Sequence, residues 1–147
     1  YYTRMSAQSS GEEKRVQLAN AVTADMLIRI EVGEDSDSKV YGTQTVYNGN
    51  YFIPGFGSVE LADLLEKNVT ASISGKALGL KAASEDDYVV SNARVPAAAV
   101  KIGYISNAQE CKLLEHDDYQ EKIADGIYQA ITAAYKEQQN NGGTETE

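Results

Sequence analysis

The stretch Pro96-Ala97-Ala98-Ala99-Val100-Lys101-Ile102-Gly103-Tyr104-Ile105-Ser106-Asn107 decides the fold. Its apolar run, broken by the single charge of Lys101, predicts a strand over Ala97–Ile105 that is buried rather than surface-lying. Asn107 followed three residues later by Glu110 has the spacing of a capping box and predicts a short helix carrying Cys111, Leu113 and Leu114. Asp117 with Gln120 repeats that spacing and opens a long helix to about Tyr135. On it Ile123, Ile127, Tyr128, Ile131 and Ala134 fall on one face.

Toward the N-terminus the same alternation continues. Tyr1-Tyr2-Thr3 reads as the end of a strand, and Ser9–Glu13 as an acidic helix start before Val16, Leu18, Ala19 and Val22. Met26–Val32 is a compact β-branched run and predicts a strand, with an acidic, serine-rich loop from Gly33 to Lys39. Val40–Tyr47 predicts a second strand, Asn48-Gly49-Asn50 a turn, and Tyr51–Gly57 an ordered aromatic loop. Ser58 is placed to cap a helix with Leu61, Ala62, Leu64 and Leu65 on one side. Ala71–Lys81 reads as a connection and Tyr88-Val89-Val90 as a short strand. The expected fold is therefore α/β, a mostly parallel sheet flanked by helices, in one domain over residues 1–136 with a polar, disordered tail over 137–147. In such sheets ligands bind at the carboxyl ends of strands, here just after Ile30 and at Lys101-Ile102-Gly103.

Composition narrows the chemistry. The chain has 147 residues, 13 Lys plus Arg and 22 Asp plus Glu, for a net charge of −9. That balance argues against a protein built to grip nucleic acid, which needs clustered cations, and against simple electrostatic adhesion to anionic wall polymers. No apolar run reaches the roughly 18–20 residues of a membrane helix, and no signal peptide is visible. The chain opens on Tyr1 rather than Met and reads as a fragment or a processed product. Cys111 is the single cysteine, which excludes an intrachain disulfide and a cysteine zinc cluster, and it reads as a packing residue. His116 is the single histidine; a two- or three-histidine zinc site within this chain is excluded, and it reads as a surface residue. The acidic run Glu34-Asp35-Ser36-Asp37 lacks the closing glycine and final Glu of an EF-hand and reads as a solvated loop.

An ordered set of residues resembles the zinc-dependent N-acetylmuramoyl-L-alanine amidases of type 3, which act on the bacterial cell wall. Pro96-Ala97, Val100-Lys101-Ile102-Gly103-Tyr104-Ile105-Ser106-Asn107, Glu110, Leu113-Leu114, Tyr119-Gln120, Ile123-Ala124 and Ile127 resemble that family's closing segment. Upstream, Thr3-Arg4, Arg15, Leu18-Ala19-Asn20, Ala24-Asp25, Gly42 with Tyr47, and Leu61-Ala62 resemble its earlier elements in order. The resemblance spans about residues 2–136 and implies that the family's first strand and helix precede Tyr1. A chain starting there leaves a sheet edge bare unless another segment or chain covers it.

The resemblance implies zinc as cofactor, held by two His and one Glu, with a separate Glu as general base that takes a proton from zinc-bound water. The bond cut joins N-acetylmuramic acid to the L-alanine of the stem peptide. This chain departs from that pattern: Glu31 stands at the family's His ligand and Lys101 at its catalytic Glu. An ammonium beside a dication is repelled and at its ordinary pKa of about 10.4 cannot accept a proton. The expectation is a catalytically degenerate domain with no cofactor, binding peptidoglycan or an envelope protein at the cell envelope or outside the cell. Two alternatives stay open, a working zinc amidase with rearranged metal chemistry and a structural subunit of an oligomer. The matched charge reversal predicts a Glu31–Lys101 ion pair with Arg29 nearby; the competing reading is of unrelated solvent-facing charges. Tyr51, Phe52 and Phe56, with Tyr47, either stack on sugar rings and dock a partner or pack on their own core.

Overall fold

A computed structural model describes residues 1–4, 6 and 10–142. Four strands, β1 (Leu27–Gly33), β2 (Thr43–Tyr47), β3 (Ala77–Ala82) and β4 (Ala97–Tyr104), form one sheet in the order β1-β4-β2-β3. Five helices accompany them: α1 (Glu12–Ala21), α2 (Ser58–Ser72), α3 (Tyr88–Ser91), α4 (Ala108–Leu114) and α5 (Asp117–Gly142). The β1–β4 and β2–β3 pairs are parallel, and β2 runs antiparallel to β4. The mixed sheet thus keeps parallel pairing in two of its three ladders.

β4 is the spine because it can be buried on both faces. Ala97, Ala98, Ala99 and Val100 are all fully buried. Strand alternation sends Ala98 and Val100 to one side, where Leu61, Leu65 and Val69 of α2 and Ile123, Ile127, Ala130 and Ala134 of α5 close the core. Ala97 and Ala99 face a second, smaller core of Ala19, Val46, Val90, Ala93 and Val95. Alanine disfavours strands on its own. Here small side chains on the central strand let helices approach from both sides.

Several elements differ from the sequence expectation. Tyr88-Val89-Val90 forms the helical turn α3, not a strand. The Asp87 carboxylate accepts from the Ser84 N–H and hydroxyl, and the Asp87 carbonyl takes the Ser91 N–H at 3.0 Å. Turn hydrogen bonds and burial of Val89 and Val90 outweigh β-propensity there. Ala77–Ala82, expected as a connection, is strand β3, because β2 offers it a full ladder. α5 runs past Tyr135 through Gly142, so 137–142 is helix; 143–147 lie outside the described residues. Tyr1-Tyr2-Thr3 is not in a strand. Gly57, not Ser58, is the N-cap of α2, with the Glu60 carboxylate accepting the Gly57 N–H at 2.9 Å.

Candidate functional site at the strand ends

One end of the sheet gathers the carboxyl ends of β1 and β4 and the start of β2. There Glu31 is the cross-strand partner of Lys101, and Lys101 in turn faces Gln44, so the three form a row across adjacent strands. All three are half-buried. Arg29 lies two residues before Glu31 on the same face of β1. Just beyond the row β4 carries a bulge, where Gly103 sits at φ +150° and the ladder resumes with Gly33 opposite Tyr104. That φ suits glycine, and the missing side chain leaves room for the Glu110 carboxylate.

The ion pair formed is not the expected one. Arg29 Nε donates to Glu31 at 3.0 Å, and its Nη1 stands 3.9 Å from Glu12 of α1. Lys101 makes no ion pair within 4.0 Å among the described residues. Arg29 wins because a guanidinium two residues along the same strand face reaches the carboxylate with directed N–H bonds. The result is a carboxylate already neutralised next to an ammonium with no anionic partner.

Glu110 is the buried anchor of this end. Its two carboxylate oxygens accept the Gly42 N–H at 2.9 Å and the Tyr104 N–H at 2.7 Å, tying α4 to β4 and to the segment entering β2. Burial raises its pKa, and the two N–H bonds partly offset that. Asn107 does cap α4, accepting from Gln109 and Glu110 N–H, but Glu110 does not return the bond. The second expected box is absent: Gln120 donates to the Leu114 carbonyl, and the His116 carbonyl accepts from Tyr119 and Gln120 N–H. Tyr104 is buried, with its hydroxyl 3.4 Å from Gln44 Oε1. Burial first, then the charges of Asp35, Glu110, Glu66 and Glu31, push its pKa up and keep it a neutral phenol.

The acidic loop closes over the same end as structure, not as a cation cage. Asp35 Oδ1 accepts from Asp37 N–H and Asp37 Oδ1 from Lys39 N–H, both at 2.9 Å. Asp35 N–H donates to Ser106 Oγ at 3.0 Å, and Asn107 Nδ2 donates to the Ser38 carbonyl at 2.9 Å.

Sequence reasoning named Arg29, Glu31, Lys101, Tyr51, Phe52 and Phe56. The fold brings the first three together and separates the rest. Because β2 is antiparallel to β4, Tyr47 lies opposite Ala98, so the loop after it emerges at the other end of the sheet from Lys101. Tyr51 and Phe52 are exposed there, Phe52 at 86%. Phe56 is a core residue packed with α2 and α5, which removes it from any binding surface. Gln44, Tyr104 and Glu110 were missed as site residues. Only Glu110 carried a sequence signal, and its spacing suggested a cap.

The described residues around Glu31 do not by themselves make a zinc site. Among the described residues no three His, Cys, Asp or Glu side chains cluster as ligands. Glu31 is held by a guanidinium, Lys101 adds a second cation beside it, and His116 is exposed at the start of α5. Two cations around one carboxylate repel a dication.

A four-stranded mixed sheet flanked by helices, with a polar cluster at its strand ends, defines an α/β domain. The sequence profile of the N-acetylmuramoyl-L-alanine amidases matches residues 1–133, and the chain belongs to that family. It is 30% identical over 123 residues to the Bacillus subtilis protein YqiI, covering 84% of this chain and 57% of that protein. It is 28% identical over 138 residues to the germination-specific N-acetylmuramoyl-L-alanine amidase of the same organism, covering 92% and 54%. The chain thus spans little more than half the length of these relatives. Among solved structures, the catalytic domain of the amidase CwlV from Bacillus (Paenibacillus) polymyxa superposes with a TM-score of 0.80 at 25% identity, over 91% of this chain and 70% of that one. The CwlD amidase of Clostridioides difficile, in complex with the GerS lipoprotein, gives 0.74 at 28% identity, over 84% and 61%.

Proposed function

We propose that this cell-wall amidase-family domain binds peptidoglycan at the cell envelope without hydrolysing it. The observation that carries this reading is the row Glu31–Lys101–Gln44, in which the base position holds an ammonium and the ligand position a carboxylate already paired with Arg29. Lys101 there offers N–H donors to a carboxylate and stands in place of the carboxylate that takes a proton from water. Peptidoglycan stem peptides offer such carboxylates and amides, which suits an ammonium beside a glutamine amide. Loss of zinc follows in this reading from the cations around Glu31. The complex of CwlD with a lipoprotein supports an envelope protein as a further partner.

Co-sedimentation with purified sacculi tests this together with metal analysis. The expected result is bound protein, no stem peptide released and no stoichiometric zinc. One zinc per chain with release of stem peptide overturns the reading in favour of an active amidase. Failure to co-sediment removes the binding role.

A further inference from the structure

Lys101 and Gln44 share one face at the end of the sheet. They stand opposite each other on the antiparallel β2–β4 ladder, which sets their Cβ atoms about 4.5–5.5 Å apart. The Lys101 ammonium carries N–H donors and no acceptor. Among the described residues it makes no ion pair within 4.0 Å and no side-chain hydrogen bond. The carboxylate on its other side, Glu31, is already held by Arg29 Nε at 3.0 Å.

A glutamine amide can present either its oxygen or its NH2, and Tyr104 decides which. The Tyr104 hydroxyl lies 3.4 Å from Gln44 Oε1. Burial, then the charges of Asp35, Glu110, Glu66 and Glu31, keep it a neutral phenol with a proton to donate to that oxygen. Its position is fixed. Tyr104 is 4% exposed, its N–H is bound by Glu110 at 2.7 Å, and its ring fills the space over Gly33, where an added Cβ would stand 2.8 Å from Cε1. With Oε1 taken, Gln44 Nε2 is left without a partner among the described residues. Gln44 pairs on its other side with Gly79 of β3, where an added Cβ would meet nothing within 4 Å, so that position sets no side chain beside the amide.

Two neighbouring donors without acceptors, one of them charged, match the two oxygens of a carboxylate. A carboxamide in the same place offers one oxygen, and its NH2 meets the second donor. A half-buried donor facing another donor loses both its hydrogen bond and its hydration.

We infer that Lys101 and Gln44 select a free peptide carboxylate over the corresponding carboxamide, with Tyr104 as the positioning residue that turns the Gln44 amide. The inference rests on the peptidoglycan reading for the ligand and narrows it to stem peptides whose carboxylates are not amidated.

Chemical-shift titration of the full chain with N-acetyl-L-alanyl-D-glutamate and with its diamide tests it. The acid is expected to bind about tenfold more tightly, the worth of one hydrogen bond to a charged group. Tyr104→Phe keeps the buried ring but frees the amide to turn. It is expected to lower the acid-to-diamide ratio about threefold, as loss of a neutral hydrogen bond does, whereas damage to the fold alone would weaken both probes together. Gln44→Glu places an acceptor beside Lys101 and is expected to bring the ratio to one or below, even where Tyr104→Phe misfolds. Equal affinity for acid and diamide, binding of neither, or a ratio unchanged in both variants overturns the inference. Co-sedimentation separates it from the peptidoglycan reading. Sacculi bound by a chain without acid preference leave that reading standing and remove the carboxylate site. Acid preference without sacculus binding removes that reading and leaves the site with another peptide as its ligand.

Discussion

Lys101 is a half-buried ammonium with a carboxylate in register on one side and an amide on the other. Lys101→Glu sets a second carboxylate across from Glu31. Like charges directly opposite cost up to about 1 kcal/mol, so urea denaturation is expected to show a loss of that size. Sacculus co-sedimentation should fall with it, because a carboxylate ligand is then repelled. Glu110→Ala removes the acceptor for two N–H groups, those of Gly42 and Tyr104. An unsatisfied buried donor costs about 1–3 kcal/mol, so this substitution should be among the most destabilising at the site, measured by the denaturation midpoint. The placement of Lys101 beside Glu31 was legible in the sequence; the role of Glu110 was not. Glu110 falls at a capping-box position, and only the approach of Gly42, 68 residues away, shows where its oxygens go.

Among the elements, α2 and β3 share a buried carboxylate. Glu66 of α2 accepts the Thr45 hydroxyl at 2.7 Å and the Gly79 N–H at 2.8 Å. Burial raises its pKa above the ordinary 4.5, with the hydrogen bonds from Thr45 and Gly79 opposing. A carboxyl with a raised folded pKa holds its proton more tightly in the folded chain. Its contribution to stability is full below the unfolded value and is lost as pH rises through the folded one. The stability of Glu66→Gln relative to the wild type is therefore expected to increase as pH rises from about 4.5, followed by urea denaturation across that range. The α2–α5 crossing depends on Gly126, where an added Cβ would stand 2.5 Å from Ser72 Oγ and 2.8 Å from Val69 Cα. Backbone cannot yield cheaply there, and Gly126→Ala should cost about 1–3 kcal/mol, as overpacking does. Thermal unfolding reads that loss directly. Helical periodicity places Gly126 beside Ile127 on α5, but only the packed structure shows how closely α2 approaches it.

At the scale of the molecule, strand direction places two groups of residues singled out in the sequence at opposite ends of the sheet. Arg29, Glu31 and Lys101 occupy one end of the sheet and the Tyr51–Phe52 loop the other. Phe52→Ala is therefore expected to leave sacculus co-sedimentation within about two-fold of wild type, a change below about 0.5 kcal/mol, while Lys101→Glu weakens it. Equal losses would place binding at the aromatic loop.

The sequence by itself determined the apolar strand around β4, the β-branched strand β1, the capped helix α4 and the apolar faces of α2 and α5. Those follow from local periodicity and from hydrogen bonds spanning a few residues. It also carried the ordered residues by which the family could be recognised. Only the tertiary structure decided that Ala77–Ala82 is a strand, that Tyr88–Ser91 is a helical turn, and that Arg29 takes Glu31 away from Lys101. The physical reason is that register and strand direction couple residues far apart in the chain: a one-residue shift turns a side chain to the other face, and one antiparallel ladder moves a loop to the far end of the sheet.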